Sequence, residues 1–80
     1  MPTVFIQNGY RVSFYSYDLA ERMHVHIFKN GCECKIWLDD LAVAFNRGFK
    51  PTEVAEMRRL ISERRAEIVE RWLEHGRNAN

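Results

Sequence analysis

No apolar stretch of the sequence approaches the roughly 18 residues that a membrane-spanning helix needs. The opening MPTVFIQNGYRV has neither the charged start nor the apolar run of a secretory signal. The expectation is a soluble, cytoplasmic protein without a membrane partner. Cysteine is scarce as well. Cys32 and Cys34, one residue apart, cannot build the disulfide framework of small secreted domains, and are expected as reduced thiols. An excess of one charge is also lacking: twelve Lys and Arg against eleven Asp and Glu leave a net charge of +1, so any binding to nucleic acid or anionic lipid must be local. Glycine and proline number only four and two, while 46% of residues are hydrophobic and 12% aromatic, which excludes a disordered chain. Eighty residues make one domain, 1–80, with a small core.

What the sequence does have is two copies of one signal. VFIQNGYRVSFYS places two β-prone runs around Asn8-Gly9, and HVHIFKNGCECKIWL repeats the design around Asn30-Gly31. Asn-Gly between such runs favours a type I′ turn, in which both central residues need positive φ. Two hairpins within residues 2–38 therefore predict four antiparallel strands, with YDLAERM as the connecting loop. DDLAVAFNRG reads as a short helix over 39–47, with Asp39 or Asp40 as N-cap and Gly48 past its end. Pro51 then suits the first turn of a long helix over 51–75 and Glu53 its N3 position. Met57, Ile61, Ile68 and Trp72 keep a helical period, widened by Leu60, Val69 and Leu73. The fold expected is α+β: a four-stranded antiparallel sheet against one short and one long C-terminal helix. Arginines and glutamates alternate on the long helix's other side, which reads as a solvated face rather than an RNA-binding strip.

Register decides what the histidines and cysteines can do together. With Asn30-Gly31 as the loop, Ile27 faces Cys34, His26 faces Lys35, Val25 faces Ile36 and His24 faces Trp37. One side of the hairpin then carries Met23, Val25, Ile27, Cys34, Ile36 and Leu38, a core. The other carries His24, His26, Phe28, Glu33, Lys35 and Trp37. A zinc site from His-x-His and Cys-x-Cys would need side chains from both sides to converge, so no metal is expected there. Two imidazoles with Glu21 or Glu33 as a third ligand form another arrangement, against which Lys35 opposite His26 argues by charge repulsion. In the first hairpin the same reading pairs Phe5 with Val12 and Thr3 with Phe14 on the core side. Ile6 with Arg11 and Val4 with Ser13 fall on the other, bringing Arg11, Ser13 and Tyr15 to the histidine face.

That face has a chemical reading. RNA cleavage needs one group to take the 2′-hydroxyl proton, another to protonate the leaving oxygen, and cations to hold the phosphorane charge. His24 and His26 suit the first two tasks, Lys35 and Arg11 the third, and Trp37 or Phe28 could stack a base. No cofactor is called for. The bland alternative is a strand surface of ordinary cross-strand pairs such as His24 with Trp37.

The segments MPTVF, GYRVSFYS, HVHIF, KIWLDDLAVAFNRGF and the P-x-E-V-x-E helix ending in Trp resemble, in content and spacing, the bacterial family called domain of unknown function 4160. Its H-V-H strand, its lysine before an aromatic pair and its R-G-F correspond here to His24, Val25, His26, Lys35, Ile36, Trp37, Arg47, Gly48 and Phe49. The family more often has prolines before the histidines, where this chain has Arg22 and Met23. The resemblance implies a gene set beside that of a second small protein, often of the domain of unknown function 2442 family, the pair being proposed as toxin and antitoxin with the present family as toxin. It also adds Arg47 to the candidate face, beside its alternative role as a charge near a helix C-terminus. The resulting expectation is a growth-inhibiting toxin of a type II pair, with His24, His26 and Lys35 as catalytic candidates and Arg11, Trp37 and Arg47 as substrate or phosphate contacts in a metal-independent ribonuclease. The rival is a non-enzymatic module that binds protein or nucleic acid through the same face, and a third is a redox or metal sensor through Cys32 and Cys34. Expected partners are a small antitoxin, RNA and, through an exposed strand edge, a second copy of the chain.

Overall fold

The computed structural model describes residues 3–15 and 20–78. Five strands are found among them, β1 (Thr3–Gln7), β2 (Tyr10–Ser13), β3 (His24–Lys29), β4 (Cys32–Trp37) and β5 (Val43–Arg47), followed by helices α1 (Pro51–Glu63) and α2 (Arg65–Asn78). The strands lie in sequence order in one antiparallel sheet. The architecture is α+β as expected, with five strands rather than four. Of the expected connecting loop, residues 17–19 lie outside the described residues.

Both Asn-Gly pairs form the turns expected of them, with φ of 53° and 82° at Asn8 and Gly9 and 50° and 80° at Asn30 and Gly31. The β3–β4 register follows, pairing His24 with Trp37, His26 with Lys35 and Ile27 with Cys34. In the first hairpin the pairs Phe5 with Val12 and Ile6 with Arg11 hold, but Thr3 pairs with Ser13 instead of Phe14. A bulge at Val4 causes the shift, and it turns that side chain inward, where it is buried with the core.

The short helix expected over 39–47 is not formed. Residues 38–42 make a tight turn instead: Leu41 N–H donates to the Trp37 carbonyl at 3.0 Å, Trp37 N–H to that of Ala42 at 3.0 Å, and the Asp40 side chain accepts from Ala42 N–H at 2.9 Å. Asp40 thus closes a turn rather than capping a helix, with Leu41 at a φ of 62°. The chain then returns as β5 along β4, with Ala44 as the extra residue of a second bulge. Gly48 ends this strand, at a φ of 101°, and a Cβ there would lie 2.8 Å from Cys32 Sγ. Asn46 clamps the bend, its side chain donating to the Phe49 carbonyl and accepting from Phe49 N–H at 3.0 and 3.1 Å. Phe49 is thereby delivered into the core beside Tyr10.

The long helix is present but broken at Arg64, where φ and ψ are −112° and 21°. Its start is the one expected: Pro51 opens the first turn and the Glu53 carboxylate accepts from Lys50 N–H at 2.8 Å. At the break, backbone bonds still run from Arg64 to Leu60 and from Ile68 to Arg64. The Arg64 guanidinium lies 3.7 Å from the Phe5 ring centroid and donates to the Gln7 side chain at 3.1 Å, so the break sits where the helix is tied to β1. Met57, Leu60 and Ile61 of α1 with Ile68 and Trp72 of α2 bury the sheet side made of Val12, Val25, Ile27, Cys34 and Ile36. Leu73, counted above in the apolar stripe, is 48% exposed. No helix is long and apolar enough to cross a membrane among the described residues.

Candidate functional site

Opposite the core, the sheet presents two rows of side chains running across the strands. The outer row, nearest the Asn-Gly turns, pairs Ile6 with Arg11, Arg11 with Phe28, Phe28 with Glu33 and Glu33 with Arg47. The next row runs Ser13, His26, Lys35, Phe45. Beyond it lie His24 and Trp37. Register thus brings every candidate residue to one face, and β5 adds Phe45, which sequence reasoning missed because it placed those residues in a helix. The alternation of Phe45 and Arg47 about Asn46 was the signal available, the bulge at Ala44 setting Val43 opposite Ile36 instead.

The inner part of this face is covered. His24 is fully buried, its ring centroid 5.5 Å from Trp37 and 5.5 Å from Trp72 of α2. His26 is 7% exposed, with the Tyr15 ring 4.9 Å away and the His24 ring 5.1 Å away. An open histidine surface, as the sequence suggested, is therefore not what the fold provides: Trp72, which packs on Phe14 in the core, also reaches His24 at the end of the sheet, and Tyr15 packs on His26. His24 Nδ1 lies 2.8 Å from the Arg22 carbonyl, and since a carbonyl only accepts, Nδ1 carries the proton. His26 Nδ1 likewise donates to Glu33 at 3.1 Å. Ser13 Oγ, opposite His26, is buried without a hydrogen-bond partner among the described residues.

Lys35 is engaged as well. Its ammonium pairs with Glu21 at 3.1 Å and sits 4.7 Å from the Trp37 ring centroid, leaving the side chain 16% exposed. Arg22 covers the other approach to Trp37 at 4.6 Å and donates to both Asp39 oxygens, and that hydrogen bonding holds the Asp39 carboxyl below its ordinary range.

The outer row differs. Arg11 lies over the Phe28 ring at 5.1 Å, and Arg47 over the Phe45 ring at 4.8 Å with its side chain 74% exposed. Arg47 also approaches Glu33 at 3.9 Å. It stands at a strand end rather than a helix C-terminus, so the dipole role considered for it does not apply. The two cysteines stay apart from this face. Cys34 is buried among the core side chains, and desolvation pushes its thiol up to about 11, while Cys32 packs under Gly48. Among the described residues no three His, Cys, Asp or Glu side chains are placed to hold a metal ion.

A family model described as "Domain of unknown function (DUF4160)" matches residues 9–73. The chain belongs to this family. No curated protein matches it, and no solved structure does. The matched span takes in β2 through most of α2, and with them, apart from Ile6, both rows of the face, as well as the helix residue that reaches His24. In this DUF4160 chain, the H-V-H strand that marks the resemblance is the strand carrying the buried imidazoles.

Proposed function

We propose that this DUF4160 chain is the growth-inhibiting toxin of a bacterial type II toxin–antitoxin pair, acting in the cytoplasm, and that its sheet face works by binding. The toxin role is supported by the family, whose genes commonly stand beside that of a second small protein, often of the domain of unknown function 2442 family, here taken as the antitoxin. Binding is favoured over catalysis by one observation: His24 is sealed beneath Trp37 and Trp72, where no substrate reaches it without displacing packed rings. Arg47, Arg11 and the rings under them remain available for contact, and Arg and aromatics are the side chains that most often anchor binding surfaces.

The second reading, metal-independent cleavage of RNA, draws on the closeness of the two imidazoles, 5.1 Å between ring centroids, with Lys35 opposite His26. Inducing the chain in a bacterial host separates the two. Growth arrest without RNA fragmentation, retained in a folded His26→Gln variant and lost in a folded Arg47→Gln variant, is the outcome expected of a binding toxin. RNA fragmentation abolished by His26→Gln would establish the catalytic reading in its place, and normal growth on induction would remove the toxin role altogether.

A further inference from the structure

We propose that the outer row of the face is a seat for single-stranded RNA, laid across the strands between Arg11 and Arg47. The inference rests on the binding reading above and gives that face its ligand. Arg11 and Arg47 belong to one transverse row, separated by β3 and β4. Three inter-strand spacings put their backbones about 14 Å apart, longer than one nucleotide step, so two phosphates of one strand can be held with bases between them.

Each guanidinium lies over an aromatic ring, Arg11 on Phe28 and Arg47 on Phe45. A guanidinium held in that way offers its outer side to a base and its N–H edge to a phosphate, two features that RNA presents in alternation. A cleft of about 530 Å³ lies against Arg11, Phe28 and Glu33 and extends to Gly9, Lys29 and the Asn30-Gly31 turn. Lys29 itself stands on the other side of the sheet, opposite Cys32 and in the alternation of Ile27. Its ammonium is held over the Tyr10 ring at 4.4 Å and donates to the Asn8 carbonyl at 3.1 Å, so the cations of the row are Arg11 and Arg47.

The one carboxylate in the row, Glu33, is already engaged by His26 at 3.1 Å and approached by Arg47 at 3.9 Å. Phosphates therefore belong at the two flanks, over Arg11 and Arg47, and a base over the centre. Duplex is a poor fit, because its bases face inward and cannot stack on the row. With a net charge of only +1, the whole chain gives no broad attraction, so binding depends on these few cations.

The experiment is fluorescence anisotropy of a short labelled oligoadenylate titrated with the full chain over a range of salt. The expected result is binding that weakens with salt and is stronger than to a duplex. Arg11→Gln and Arg47→Gln each lower the log–log salt slope by about 0.7. Phe28→Leu, which keeps an apolar residue under Arg11, weakens binding roughly fivefold or more at an unchanged slope. No binding at low salt, or slopes left intact in both arginine variants, overturns the inference. If arrest on induction persists alongside that result, the toxin reading stands with a protein as its target; RNA binding without arrest upholds the seat and removes the toxin.

Discussion

The two ends of the histidine face are built on the same strands with the same alternation, yet they are chemically opposite. At the end where β3 begins, His24 is closed in by Trp37, Trp72 and His26. At the end nearest the Asn-Gly turns, Arg11, Phe28, Glu33 and Arg47 form a row open enough to leave Arg47 74% exposed. Strand register decides which side of the sheet a residue takes. Whether that side meets water is decided by distant groups that reach it, here Trp72 of α2, Tyr15 and Glu21.

If α2 closes the inner end, Trp72→Ala should have the largest effect. The ring packs on Phe14 at 5.2 Å and on His24 at 5.5 Å, and its loss is expected to cost about 3–5 kcal/mol in urea unfolding. A cost under about 1 kcal/mol would mean that the helix does not hold that end shut. Arg47→Gln, at the open end, should leave unfolding within about 0.5 kcal/mol of the parent.

A second contrast of covered and uncovered groups concerns titration. Cys34 is held at about 11 by burial, and Tyr10 at about 12 by burial and by its hydrogen bond to Glu56. Both fold preferentially in the protonated form. Their contribution is therefore complete below their unfolded values of about 8.5 and 10 and is lost as pH rises through the folded ones. Melting temperature should be level from pH 7 to about 8.5 and fall above it. Thiol labelling of the folded chain at neutral pH should reach the partly exposed Cys32 and spare Cys34 until unfolding. Equal labelling rates would show that the core side is not closed.

The smallest effect is expected at the connection. Glu21→Gln removes a pair whose acid is half exposed, so stability should change by no more than about 1 kcal/mol. Hydrogen exchange along β3 and β4 near His26 and Lys35 should nonetheless quicken if Glu21 helps to hold the connection down. Unchanged exchange would assign the covering to Tyr15 and α2 alone.

How far the sequence could be read follows the range of each interaction. Asn30-Gly31 sets the β3–β4 register by itself, so the separation of His26 from Cys34 was legible from a dozen residues. Pro51 and Glu53 marked the start of α1 just as locally. DDLAVAFNRG misled because Asp, Leu and Ala carry helix signals. The Asp40 side chain bonded to Ala42 N–H and Leu41 at positive φ are local, but the same Asp also reads as a helix N-cap, and the deciding fact, an edge of β4 for the segment to pair with, lies outside the ten residues. The burial of His24 was the least legible feature, since its cover comes from Trp72, far along the chain.

Because the five strands follow one another across the sheet and both helices come last, assembly during synthesis has a built-in order. Each strand can pair with the one made just before it. Until α1 and α2 emerge, however, Val25, Ile27, Cys34 and Ile36 have nothing to cover them. A product cut short before Pro51 would be a sheet with a bare apolar side and two unpaired edges, a form suited to sticking to its own kind. For such a chain residues 51–78 decide whether the product disperses or aggregates.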